Sequence, residues 1–169
     1  NVVLLIGSST SGDIGIIKTD TSGNEIWTRY HGGTETEWGR SIVGTIDGGY
    51  AIIGHTESFG SGSRDIYLLK LDSDGYEEWH QTYGDIGVDY GGDLLELPNG
   101  NFVICGYTQQ QGTGDYLGWL IKTDNSGSIL WDRTFETGGH NVFRSLVQTS
   151  DGGYAIIGES HIPSTGPAR

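Results

Sequence analysis

Leu68-Leu-Lys-Leu-Asp-Ser-Asp-Gly-Tyr-Glu-Glu-Trp-His-Gln-Thr-Tyr83 decides the fold, because recognisable versions of it begin 52 residues earlier and 52 residues later. Lys18, Lys70 and Lys122 are in register. So are Asp20, Asp72 and Asp124, then Gly23, Gly75 and Gly127, and finally Trp27, Trp79 and Trp131. Self-similarity at a period of roughly 20–50 residues marks stacked or radial repeat architectures, in which each unit buries its apolar surface against the next.

Within the stretch, an apolar run ends at Asp72-Ser-Asp-Gly75 and a second run carries Trp79. Asp and Ser close such turns on their own backbone and Gly supplies the positive φ, so the pattern predicts a hairpin. Its two strands are the third and fourth of a unit, with counterparts at 14–20 and 25–30 and at 119–124 and 129–135. Upstream lie the first strand, at 40–46, 93–97 and 144–149, and the second, at 50–54, 102–106 and 154–158. Asp47-Gly-Gly49, Pro98-Asn-Gly100 and Asp151-Gly-Gly153 join these two strands as tight turns. Residues 1–8 read as one more second strand. No segment has a useful 3.6-residue period, so every element is a short strand.

Composition agrees. Hydrophobic residues are 34%, Gly numbers 30 and Pro only 3, which suits many short strands and tight turns rather than disorder. A net charge of −13 would repel a phosphate backbone or an anionic membrane, so nucleic acid is excluded as a partner. The longest apolar run, Val2 to Ile6, is far short of the ~18 residues of a membrane helix, and membrane insertion is not expected. Cys105, the single cysteine, occupies the repeat position of Ile53 and Ile157 and is expected in the core. The chain has no Met and opens inside a strand-like run, as a processed or excised piece would.

Four antiparallel strands in about 40 to 50 residues is the unit of a β-propeller blade, so the expected fold is all-β, a propeller of four-stranded antiparallel blades. Counting strands gives about three and a quarter blades in a single array over 1–169. They fall at 1–30 (partial), 39–83, 91–135 and 143–160 (partial), followed by a tail at 161–169. Such a count does not close a ring, which implies either a longer chain or a homo-oligomer that completes the propeller.

The pattern Asp-Gly-Gly-Tyr-Ala-Ile-Ile-Gly, then Asp-Ile-Tyr-Leu-Leu-Lys-Leu-Asp-Ser-Asp-Gly, then Trp resembles a propeller repeat common in large secreted and cell-surface proteins of archaea and bacteria. Its hairpin is also similar to the blade hairpin of quinoprotein-type propellers. The resemblance implies an extracellular or cell-surface setting and brings no catalytic residues with it.

In an up-and-down blade the tight turns lie on one face and the remaining loops on the other. The tight turns recur almost letter for letter, whereas the loops at 8–12, 57–64 and 109–114, and at 31–38, 84–90 and 136–142, do not. Loops on a rigid scaffold carry function disproportionately. The candidate ligand face therefore comprises Glu35, Glu37, Trp38, Arg64, Asp85, Asp89, Tyr90 and His140, with Glu57, Asp65 and Glu136 nearby. Carboxylates interleaved with aromatics would suit a carbohydrate, a cationic protein segment or Ca²⁺, which prefers clustered oxygen ligands; nothing in the sequence demands a cofactor. A solvated acidic rim is the plainer alternative, and Trp38 and Tyr90 would then begin strands and pack between blades. The regular Trp27, Trp79 and Trp131 series points to packing between sheets.

Enzyme chemistry lacks its parts. The five histidines occupy different repeat positions and none sits in a nucleophile or metal-ligand pattern, and His55 is expected exposed at a strand end. The expected function is a non-enzymatic binding or structural module of a secreted or cell-surface protein. The alternatives are a polysaccharide-acting hydrolase or lyase using carboxylates of the same face, and a passive structural spacer.

Overall fold

The computed structural model of the chain describes residues 2–5, 12–136 and 139–161, so the expected tail beyond His161 and most of the loop at 8–12 lie outside the described residues. Thirteen strands and no helix are present among the described residues. The first sheet joins β1 (Val2–Leu5), β2 (Ile14–Thr19) and β3 (Glu25–His31). The second joins β4 (Glu37–Gly44), β5 (Tyr50–Thr56), β6 (Asp65–Leu71) and β7 (Glu77–Tyr83). The third joins β8 (Asp89–Glu96), β9 (Phe102–Gln109), β10 (Tyr116–Thr123) and β11 (Ile129–Phe135), and the fourth β12 (His140–Gln148) and β13 (Tyr154–His161). Within each sheet every strand pairs antiparallel with its chain neighbour, so the first three sheets are meanders and the fourth a hairpin.

The hairpin between the third and fourth strands is built the same way three times. Asp20, Asp72 and Asp124 each accept two backbone N–H bonds through Oδ1, at 2.8–2.9 Å, from the residues two and four further on. The glycine at the third step sits at φ +85°, +81° and +82°, in Gly23, Gly75 and Gly127. A residue with a Cβ would be strained there, which is why the motif keeps Gly.

Alternation does the rest. In β5 and β6 the side chains of Tyr50, Ile52, Tyr67, Leu69 and Leu71 point toward the first sheet and pack with Ile14 and Ile16. The alternate set, Ala51, Ile53, Ile66 and Leu68, points the other way and packs with Leu94, Phe102, Ile104 and Ile121 of the third sheet. Val103, Cys105 and Leu120 then meet Leu146 of the fourth. Every residue of β6 is buried, Lys70 included, whose ammonium is held by Asp47 and Glu78 at 2.8 Å each. The Cys105 thiol is fully buried, and burial pushes its pKa up to about 12.

The Trp series lies in these interfaces. Trp27 meets Tyr50 with ring centroids 6.1 Å apart, Trp79 meets Phe102 at 6.1 Å, and Trp131 meets Tyr154 at 6.4 Å. Each contact crosses from one sheet to the next in an edge-on or tilted geometry favoured by aromatic pairs. A polar link repeats beside it: His31 Nε2 lies 3.0 Å from Gly75 O, and the Tyr83 hydroxyl donates to Gly127 O at 2.7 Å.

At the other edge, β4, β8 and β12 approach one another, and the Asp93 carboxylate accepts hydrogen bonds from the hydroxyls of Ser41 and Ser145, 2.7 Å each. One carboxylate thus ties three sheets. The sheets stack in series, and among the described residues no closed ring is seen.

Leu68→Ala should lower the free energy of urea unfolding by about 3 kcal/mol, because the side chain is fully buried between two sheets. Ile26→Ala, at a position 55% exposed, should stay within about 0.5 kcal/mol of wild type in the same measurement.

Candidate functional site

The first strands of the units start earlier than the sequence predicts. β4, β8 and β12 begin at Glu37, Asp89 and His140 rather than at 40, 93 and 144. The register shifts between Gly39 and Ser41, between Gly91 and Asp93, and between Phe143 and Ser145, so one residue bulges out and the ladder resumes beyond it. A partner glycine makes room: a Cβ on Gly54, Gly106 or Gly158 would lie within 2.0 Å of the carbonyl oxygen of Trp38, Tyr90 or Val142. The bulge therefore converts what reads as loop into strand and presents Trp38 and Tyr90 in the sheets.

Across the ladder Trp38 pairs with His55 and Tyr90 with Tyr107. The rings form a continuous arc: Trp38 to His55 at 5.1 Å, His55 to Tyr90 at 4.2 Å, and Tyr90 to Tyr107 at 5.0 Å. It goes on through Tyr116 at 5.0 Å to His140 at 4.9 Å. All six residues are half-buried. Trp38, His55, Tyr90 and Tyr107 line a cavity of about 190 Å³ together with Phe143 and the bulge residues Arg40, Gly92 and Arg144.

Charge around the cavity is basic although the chain is acidic. The Arg64 guanidinium lies 6.0 Å from the Trp38 ring centre and 5.5 Å from that of Tyr90, donates to the Tyr90 hydroxyl, and is tied to Glu57 at 2.6 Å. Arg144 pairs with Glu159 at 3.1 Å. Burial, with the nearby Arg64 charge, lowers the His55 pKa to about 4, so its ring is neutral at pH 7. Burial pushes the Tyr107 phenol up to about 12. The walls are neutral π faces and the fixed charge comes from arginine.

The eight candidate residues separate into three groups. Trp38, Arg64, Tyr90 and His140 come together in the arc. Glu35 and Asp85 are exposed on the neighbouring loops; Glu35 uses its backbone N–H on the Ser58 hydroxyl, and Asp85 accepts from Gln111 Nε2 at 2.9 Å. Glu37 and Asp89 are 1% and 0% exposed and turn inward. The Glu37 carboxylate accepts the Thr56 hydroxyl at 2.6 Å and the Gly33 N–H at 2.8 Å, which makes it a brace for two loops. His55 differs from expectation: it is half-buried inside β5, because the bulge carries the ladder past it. Tyr107, Tyr116, Arg40, Phe143 and Arg144 carried no loop signature and were not among the candidates. Their only signal was the pairing register, which the bulge displaces by one.

The loops are variable in sequence yet regular in backbone. Glu37 N–H donates to Gly12 O and Asp89 N–H to Arg64 O, one period apart. Glu57 N–H to Thr36 O and Gln109 N–H to Val88 O repeat in the same way. Among the described residues no group of three or more His, Cys, Asp and Glu side chains is placed to hold a metal ion.

Carboxylates approach one another beside Gly84. A Cβ there would lie 2.3 Å from Asp65 Oδ1 and 2.5 Å from Asp89 Oδ2. The same arrangement recurs at Gly32 with Glu37 and Asp13. Burial, reinforced by Asp89, pushes the Asp65 pKa up to about 6, and burial also raises that of Asp89. A carboxyl with a raised folded pKa costs nothing below the unfolded value of 3.8; its destabilisation grows as pH rises from there to about 6 and is fully present above it. Asp65→Asn should therefore stabilise the protein at pH 8 by on the order of 1–2 kcal/mol and have little effect at pH 3.5, read from unfolding curves at both. No protein-family model and no curated protein matches the chain.

Proposed function

We propose that the chain is the repeat array of a β-propeller, its sheets acting as blades around an axis lined by β4, β8 and β12. In this reading it is a non-enzymatic binding module of a secreted or cell-surface protein, with the ligand seated on the aromatic arc. The observation that carries the reading is the run of six half-buried rings crossing three sheets, four of which, Trp38, His55, Tyr90 and Tyr107, line one cavity. Binding sites combine mostly apolar, aromatic walls with a few polar groups on a rigid frame, and this cavity has both. Its frame is rigid because ladder pairs and repeated backbone bonds fix each ring. The repeat pattern and acidic surface support the extracellular setting.

A hydrolase or lyase would need carboxylates offered to substrate. Of the candidate acids in the strands, Glu37 and Asp89 face the interior. The site's chemistry is better suited to holding a ring than to cleaving a bond.

Screening the protein against immobilised glycans and peptides, with Trp38→Ala and Tyr107→Ala in parallel, tests this. Binding should fall at least about tenfold in each variant while the thermal midpoint stays within a few degrees, and no cleaved product should accumulate. Equal binding by wild type and both variants would remove the arc from the function, and steady product release would make the protein an enzyme.

A further inference from the structure

Two arginines border the cavity from equivalent places. Arg40 and Arg144 are the extra residues at the bulges of β4 and β12, two periods apart, and both line the cavity. A bulged residue is left out of the ladder pairing and its side chain is re-aimed; both arginines are exposed and line the cavity. The equivalent position between them is Gly92, where a Cβ would lie 2.5 Å from Phe143 O. The backbone of β12 approaches too closely there for any side chain, so the third bulge adds no group of its own between the two arginines.

The charge of Arg40 is not used up among the described residues, and that of Arg144 is met only at an exposed position. Among the described residues no carboxylate stands within ion-pair distance of Arg40, and Arg144 has only its exposed partner Glu159. In a chain of net charge −13, an unpaired guanidinium beside aromatic walls is a local positive field against the general one. Guanidinium groups take carboxylates in paired hydrogen bonds, and aromatic faces take the flat C–H face of a sugar ring. The cavity, about 190 Å³, has room for one six-membered ring and little more.

We propose that the cavity binds a uronic acid unit, its ring against Trp38, Tyr90 and Tyr107 and its carboxylate received by Arg40 and Arg144. This rests on the binding-module reading and adds the chemical class of the ligand. Discrimination comes from the two arginines, so a neutral sugar of the same shape keeps only the stacking contribution.

Titrating the intact chain with methyl glucuronide and with methyl glucoside, followed by tryptophan fluorescence and by calorimetry, tests the assignment. The glucuronide should bind at least about tenfold more tightly, and raising the salt from 0.05 to about 0.5 M should weaken it alone. Arg40→Gln and Arg144→Gln should each cost the glucuronide about tenfold and leave the glucoside unchanged, with both variants unfolding at the wild-type temperature. Trp38→Ala should weaken both sugars. Equal affinity for the two sugars, or no loss in either arginine variant, would overturn the acidic-sugar assignment while leaving the cavity a binding site. Binding of neither sugar overturns it as well. Sugar binding that survives Trp38→Ala would overturn the underlying placement on the arc.

Discussion

A β-sheet with apolar side chains on both faces is stable in water only when another sheet covers each face, and that constraint orders this whole protein. β5, β6 and β9 send alternate residues to opposite sides, so Ile52 and Leu69 face one neighbour while Ile53 and Leu68 face the other. Antiparallel sheets commonly leave one face wet. Here the middle sheets do not, and the sheets must stack in series. The edge-on or tilted contacts of Trp27, Trp79 and Trp131 with the aromatic residue opening β5, β9 and β13 fix how far one sheet slides on the next. The fourth sheet repeats the pattern with Val147 and Ile157, 59% and 70% exposed, at positions whose equivalents Val43, Ile53, Leu95 and Cys105 pack against a following sheet.

The inner edge carries a different kind of constraint. Bulges at Arg40, Gly92 and Arg144 let the first strand of each unit continue instead of ending in a loop. The carbonyl of the residue two before each bulge then points at a glycine of the partner strand, so Gly54, Gly106 and Gly158 are required by close approach rather than by turning. The Asp93 carboxylate, shared by Ser41 and Ser145, pins the three bulged strands together just beyond that point. The rings of the arc are consequently positioned by strands, which hold a side chain more rigidly than loops do. A site built so needs little reorganisation on binding.

Charge is distributed against the composition. Carboxylates dominate the surface, yet several are consumed inside the protein: Glu37 braces loops, Asp93 links strands, and Asp65 and Asp89 crowd one another beside Gly84. The crowding raises the Asp65 pKa, a cost set by burial first and by the neighbouring charge second. Around the cavity the sign reverses, with Arg40 and Arg144 in its lining and Arg64 over the rings of Trp38 and Tyr90. An acidic composition therefore says little about this one place.

The repeat made the strand order, the hairpin turns and the core positions legible from the sequence alone. Turn chemistry is local: an Asp followed three residues on by a Gly folds the same way at residues 20, 72 and 124, whatever surrounds it. The period-two pattern of Tyr50-Ala-Ile-Ile likewise states that both faces are apolar. Only the tertiary structure decided which residues meet at the candidate site. A one-residue bulge leaves no mark in composition, yet it shifts the register and sets Trp38 against His55 and Tyr90 against Tyr107. It also turned Glu37 and Asp89, which read as loop acids, into buried strand residues, because the strand begins three to four residues earlier than the apolar pattern does. Contacts between residues of different sheets, such as His55 with Tyr90, depend on how whole sheets stack, and no spacing along the chain encodes that.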